Sequence, residues 1–358
     1  MYITQPFKLD VKKKMVTRSA RVKCVEFHQV MPWVLAGLFS GNINIYDYES
    51  QAIIKSFEVS MSPIRTARFV ERKQWIIAGS DDLQIRVYNY NTMEKVKNFD
   101  AHMDFIRSIS VHPSLPCFLT SSDDVTIKMW DWDKNFAMIL QYEGHQHYVM
   151  QTAFNPKDPS VFASCSLDKT IKFWGIGSIV PHFTLKGHED GVNCIDFLKS
   201  NDKAYLASGS DDLSVKLWDF QTKQCLFTFE GHLENISSLM FHPTLPLLIS
   251  ASEDETIKIW QYTSFKLEST LNMGMERIWS VHTFSDSNLF AFGTNEGTVV
   301  AQLGRDFPVV DINNGRVVMV KNMDVLSVNL KMVDFKDLKD GEKVQAMTKD
   351  LGLSLIHI

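Results

Sequence analysis

Apolar and polar residues alternate in short runs along most of this chain, and the runs come in groups of four. In one such group residues 106–111 read Ile-Arg-Ser-Ile-Ser-Val, residues 118–122 and 126–130 are richer in apolar and small side chains, and residues 137–142 form a looser run. A period of two over five or six residues predicts strands rather than helices. His112-Pro113 and Asp123-Asp124 supply turn chemistry between the runs. The group is therefore read as four short strands, and no helix is predicted before residue 308.

The group recurs. Thr120-Ser121-Ser122-Asp123-Asp124-Val125-Thr126-Ile127-Lys128-Met129-Trp130 has close copies at Ala78 to Tyr88, Ser164 to Trp174, Ala207 to Trp218 and Ser250 to Trp260. The closing aromatics Tyr46, Tyr88, Trp130, Trp174, Trp218 and Trp260 are 42, 42, 44, 44 and 42 residues apart. Gly144-His145, Gly187-His188 and Gly231-His232 precede three of the copies. A period of that size, with that ending, predicts an all-β propeller of four-stranded blades. First strands are placed near Val22, Ile64, Ile106, Val149, Val192, Ile236 and Ile278, which makes seven blades. The seventh has three strands before Gly304, and residues 7–14, which alternate, are expected to supply its fourth. Closing the ring this way removes an exposed sheet edge. The propeller is thus assigned to residues 1–308, and residues 309–358, with strands predicted at 316–320 and 325–330, to the short, incomplete start of a second propeller.

Charge and cysteine usage narrow the function classes. A net charge of −5 argues against a general nucleic-acid binder. Five scattered cysteines without a Cys-x-x-Cys predict free thiols in a reducing compartment. No signal-like leader and no run of 18 apolar residues is present, so a soluble cytoplasmic protein is expected. No metal or cofactor is expected, because His145 and His147 are the only close histidine pair and no phosphate loop occurs.

Each full repeat carries a His, a Ser, an Asp and a Trp, as in His102, Ser122, Asp124 and Trp130. The set contains the parts of a hydrolytic triad. An active site is not built five times around a ring, however, whereas a buried polar network must recur in every blade because an unsatisfied buried group costs about 1–3 kcal/mol. These residues are assigned to structure, and no catalytic residue is expected.

Binding chemistry is sought instead where the repeats differ. The residue between the structural Ser and Asp reads Phe39, Asp81, Asp123, Leu167, Asp211, Glu253 and Asn295 around the seven blades. The residue after the apolar start of each first strand reads Lys23, Arg65, Arg107, Met150, Asn193, Ser237 and Trp279. Both positions are predicted on one rim. Arg21 joins a basic arc on blades 1 to 3 and Asp104 joins an acidic set, a pattern fitted to a ligand that carries both an anion and a cation. The competing reading is that these residues pair with one another.

Several strings are not generic to such repeats. Arg18-Ser19-Ala20-Arg21-Val22-Lys23, Pro63-Ile64-Arg65, Asp104-Phe105-Ile106-Arg107-Ser108, His147-Tyr148-Val149-Met150 and Gly274-Met275-Glu276-Arg277 closely resemble the amino-terminal WD40 propeller of the beta-prime subunits of the COPI coatomer coat. The alpha subunits of that coat are similar in Ala20-Arg21-Val22-Lys23, but Ser264 to Leu271 is similar to beta-prime. The resemblance implies a coat subunit, peripheral on Golgi membranes and vesicles, that partners other coatomer subunits. It also implies recognition of carboxyl-terminal dilysine signals of membrane cargo, for Golgi-to-endoplasmic-reticulum retrieval. By position, Arg21, Lys23 and Arg65 would meet the peptide carboxylate, and Asp104, Asp123 and Asp211 its lysines. Phe39 stands where the family often has Tyr, and its ring would pack on a lysine stem. The alternatives are a generic interaction scaffold or a ubiquitin-ligase substrate adaptor. Adaptors tend to carry Arg two residues after Trp-Asp, which Trp130-Asp131-Trp132-Asp133 and Trp218-Asp219-Phe220-Gln221 lack.

Overall fold

All seven first strands begin where the repeat places them, at Val22, Ile64, Ile106, Val149, Val192, Ile236 and Ile278. The structure, a computed structural model, describes residues 11–199, 203–285, 287–303 and, beyond these, 309–313, 316–321, 324–329 and 349–353. In blade 3 the strands are Ile106–Val111, Cys117–Ser122, Ile127–Asp131 and Ala137–Tyr142, hydrogen-bonded in that order. Blades 1 to 6 repeat this antiparallel meander. Among the described residues of the propeller the one departure from an all-strand reading is a single 3-10 turn, Glu71–Lys73.

Burial follows from stacking sheets around an axis. The second strand of a blade lies between two neighbouring sheets, so every residue of Cys117–Ser122 and of Leu247–Ser252 is buried. Outer strands such as Ala52–Glu58 are mostly exposed. Core clusters accordingly span adjacent blades, as where Ile77, Ile85 and Val87 of blade 2 pack with Phe118 and Trp130 of blade 3.

The innermost strands are laced together by polar side chains. The backbone N–H of Phe69 donates to Glu26, Ile109 to Thr66, Thr152 to Ser108, Ile195 to Gln151, Phe241 to Asp196, Val281 to Ser238 and Val25 to Ser280, at 2.6–3.1 Å. At least one such bond crosses each of the seven blade junctions. First strands meet no partner strand on their inner side, so these side chains satisfy N–H groups that would otherwise stay unpaired.

Blade 7 is closed by Val11–Arg18, which pairs antiparallel with Gly297–Leu303, from Val11 opposite Leu303 to Arg18 opposite Gly297. Gly297 has φ of 151°, and a Cβ there would sit 1.9 Å from the Thr17 carbonyl oxygen, so only glycine admits the closing strand so closely. The expected closing segment, 7–14, falls on described residues only from Val11 onward. Arg305–Ile358 is a separate unit, whose described strands Val309–Asn313, Arg316–Lys321, Asp324–Asn329 and Lys349–Leu353 form one antiparallel sheet.

The recurring polar set is a buried relay, with one change of membership. In blade 3 His102 Nδ1 bonds Asp124 at 2.8 Å and Nε2 bonds Thr120 Oγ1 at 2.7 Å, while the Trp130 indole N–H donates to the same hydroxyl at 2.9 Å. Ser164, Ser208 and Ser250 play the part of Thr120 in blades 4, 5 and 6. Ser122 instead donates to the Asp104 carbonyl at 3.0 Å and accepts the Asp124 N–H at 3.1 Å. Ser122 therefore fixes the turn, and the residue two before it links His to Trp.

Candidate functional site

Each first strand carries a β-bulge at the same place. In blade 1 the pairing runs from Val22 opposite Leu38 to Cys24 opposite Gly37, leaving Lys23 as the extra residue. The same shift isolates Arg65, Arg107, Met150, Asn193, Ser237 and Trp279. A bulge turns a side chain out of the ladder. Here it aims the residue across the end of its own blade, at the residue between the structural Ser and Asp. The latter's N–H is tied in every blade to the carbonyl preceding the first strand, as Asp123 is to Phe105.

The two variable positions are therefore partners within a blade, not separate arcs. Arg65 makes a two-point bond with Asp81, the second contact being 2.9 Å. Arg107 Nε and Nη2 bond the two oxygens of Asp123 at 2.6 and 2.5 Å. The Asn193 amide donates to Asp211 at 2.6 Å and the Trp279 indole N–H to Asn295 at 2.7 Å. Blade 4 carries an apolar couple at these positions, Met150 and Leu167. Blades 1 and 6 break the pattern. Phe39 offers Lys23 no acceptor in blade 1, and Ser237 bonds the Ala251 and Ile278 carbonyls, leaving Glu253 to pair with Arg277 at 2.9 Å.

The bulge residues line the mouth of the central channel, a cavity of ≈ 780 Å³ whose lining includes Lys23, Arg65, Arg107, Tyr148, Asp211 and Trp279. Arg21 and Phe39 line a smaller side pocket with Glu276 and Asn295. The expected carboxylate-binding residues are thus brought near one another. Arg21 reaches the others through Trp279, its guanidinium lying 5.4 Å from that ring and 5.1 Å from Phe39.

The expected lysine-binding residues have different surroundings. Asp123 is only 5% exposed and already holds Arg107, so it is more enclosed than a rim contact would be. Asp104 accepts the Phe105 N–H at 2.7 Å through one oxygen. Burial raises the Asp211 carboxyl above its ordinary value; the Asn193 bond opposes this, and nearby Asp190 and Asp212 reinforce it. Phe39 is 41% exposed. Arg107 and Trp279, expected on this rim but given no ligand contact from sequence, and Tyr148, which neither variable position contains, belong to the same mouth. The rim was legible in the variable positions, but the pairing was not.

Lys23 has the most unusual electrostatics at the mouth. Burial, followed by the charges of Arg65, Arg21 and Arg107, lowers it from 10.5 to about 7, against a weaker upward pull from Glu253. Among the described residues no carboxylate lies within ion-pair distance of Lys23 or Arg21. Two enclosed, unpaired cations beside a third make a place for an anion.

Comparison with known proteins agrees with the repeat. The WD domain, G-beta repeat family matches residues 93–131, 137–175, 179–219 and 223–261. Coatomer subunit beta' of Rattus norvegicus is 54% identical over 353 residues, covering 98% of this chain and 39% of its own length. Coatomer subunit beta' of Drosophila melanogaster is 54% identical with the same coverage, and the probable coatomer subunit beta' of Caenorhabditis elegans is 56% identical over 98% of this chain and 36% of its own length. The chain spans under two fifths of the length of these relatives. With seven blades, WD repeats and this identity over nearly all of its residues, the chain belongs to the coatomer beta-prime family and matches the part of it that carries a WD40 propeller.

Proposed function

We propose that the channel mouth binds the cytosolic carboxyl-terminal dilysine signal of membrane cargo, and that the protein acts in a COPI coat for Golgi-to-endoplasmic-reticulum retrieval. In this reading it is cytoplasmic and peripheral to Golgi membranes and coated vesicles through other coatomer subunits. The single observation that carries the proposal is the enclosed, unpaired Lys23 beside Arg21 and Arg65, which fits a terminal carboxylate. Asp104, Asp123 and Asp211 offer acceptors for the two lysines. A carboxylate has about four lone-pair directions, so Asp123 can take an ammonium while it keeps Arg107. The sheet at 309–353 is, on the same reading, the first blade of a second propeller.

Exposed ion pairs contribute roughly 0.2–1 kcal/mol each, and a micromolar complex needs about 8 kcal/mol. Binding to one propeller is therefore micromolar or weaker and falls with salt, and many copies in a coat make it effective. The test is calorimetric titration with a peptide ending in Lys-Lys-x-x, as the free acid and as the carboxamide. The acid is expected to bind at least tenfold more tightly. Equal affinities would refute the carboxylate site.

A further inference from the structure

Two cations at the mouth stand outside the pairing scheme. In blades 2 and 3 the bulge arginine meets a carboxylate of its own blade, which engages two of its three nitrogens. In blade 1 the facing residue is Phe39, and Lys23 leans instead across the junction onto blade 7, with Nζ 3.1 Å from the centre of the Trp279 ring. Arg21 lies over the same indole at 5.4 Å. The ring is itself fixed: its N–H donates to Asn295 Oδ1 at 2.7 Å, and the Asn295 amide donates to Glu276 at 2.9 Å. An aromatic face attracts a cation without cancelling its charge, and it leaves N–H groups on the far side free. A carboxylate in the same place would occupy the clamp before any ligand arrived.

We infer that Trp279 is the positioning residue of the anion clamp, holding Lys23 and Arg21 side by side and free of carboxylates for the terminal carboxylate of a ligand. The inference rests on the reading given under Proposed function. Proton linkage follows from the surroundings of Lys23. Arg21, Arg65 and Arg107 face it with positive charge and only Glu253 with negative, so near pH 7 it is partly neutral in the free protein. A docked carboxylate favours the charged form, so binding takes up a proton. Affinity for the acid peptide is therefore full below pH 7 and lost as pH rises through it. Between pH 6 and pH 8 the charged fraction of the free lysine drops about tenfold, and affinity falls by up to the same factor. A carboxamide peptide does not call on that charge, and its profile cancels any contribution from other groups of the rim.

The test measures acid and amide peptides on the intact chain at pH 6 and pH 8, for the wild type, Trp279→Phe, Trp279→Leu and Asn295→Leu. The wild type is expected to show an acid preference that shrinks about tenfold between the two pH values. Trp279→Phe, which keeps an aromatic face, should hold the preference within about threefold. Trp279→Leu, which keeps apolar bulk without that face, should lose at least tenfold of it and flatten its pH dependence. Asn295→Leu places at blade 7 the residue that blade 4 already carries as Leu167, and by releasing the indole it should lower the preference about threefold. An unchanged preference in Trp279→Leu, or in Asn295→Leu should Trp279→Leu fail to fold, overturns the positioning role. A wild-type preference that is flat with pH overturns the proton linkage. Equal binding of acid and amide by the wild type overturns the underlying carboxylate reading instead.

Discussion

Asp123 and Asp124 are neighbours in the sequence with different duties, though not divided as their positions imply. Asp124 accepts bonds from His102, from the Met103 and Thr126 N–H groups and from the Thr126 hydroxyl. Burial pushes its carboxyl up, but these donors win and hold it far below its ordinary value. That is the structural residue the repeat predicts. Asp123, at the place where repeats are free to vary, is the more enclosed of the two, with a side chain 3% exposed against 10% for Asp124. Removing one member of such a pair strands the other's charge. Asp123→Asn is therefore expected to cost about 2–3 kcal/mol of stability as well as peptide affinity, read from urea denaturation and titration. Blade 4 shows how to separate the two effects, since it fills the same positions with Met150 and Leu167. The double variant Arg107→Met, Asp123→Leu should recover most of the stability while peptide binding stays lost. Recovery of binding along with stability would remove Asp123 from the site.

At the scale of elements, the bulge is what turns a generic strand into part of a mouth. Its position is the same in all seven blades, yet no residue type marks it: Lys, Arg, Met, Asn, Ser and Trp all occupy it. The position is legible in the sequence by its variability, but mutual pairing is there only the competing reading, because pairing across a blade depends on a register shift that alternation does not encode. The closing strand is the second element with a consequence. Val11–Arg18 covers the edge of blade 7 and buries Met15 among Val22, Val34, Ala291 and Val300. Deleting residues 1–18 exposes that edge and empties the Met15 site. Large-to-small changes at one buried site alone cost about 2–5 kcal/mol, so calorimetry should show melting lowered by roughly 10 °C or more. Unchanged melting would mean that the ring does not depend on this strand.

Across the whole propeller, stability is tied to pH through repetition. Burial lowers the proton affinity of His102, His145, His188 and His232 despite the upward pull of their aspartates. A histidine held neutral in the fold binds fewer protons than in the unfolded chain, so its contribution is complete above 6.5 and declines as pH falls below that ordinary value. Each can remove up to about 1.4 kcal/mol per pH unit until it protonates in the fold. The paired aspartates Asp124, Asp168, Asp212 and Asp254, all held below 3.8, add a second loss in stronger acid. Glu26, Asp196 and Asp211, raised by burial in the channel, act in the opposite direction and are fewer. Urea midpoints should therefore fall steadily as pH drops from 6.5 to 4.5. A midpoint that stays level down to pH 5 would show that these histidines are charged in the fold.

The sequence by itself determined the number of blades, the start of every first strand, the identity of the relay histidines and aspartates, and the rim on which variation concentrates. All of these repeat every 42 to 44 residues, and a repeat is legible without coordinates because each blade solves the same packing problem. Tertiary structure alone decided who pairs with whom. It put Thr120 rather than Ser122 between His102 and Trp130, closed Arg65 onto Asp81 and Arg107 onto Asp123, and set Lys23 on Trp279, 256 positions away in number and adjacent in the ring. Side-chain pairing at the mouth depends on bulges and on ring closure, and both act through space between segments that share no local pattern.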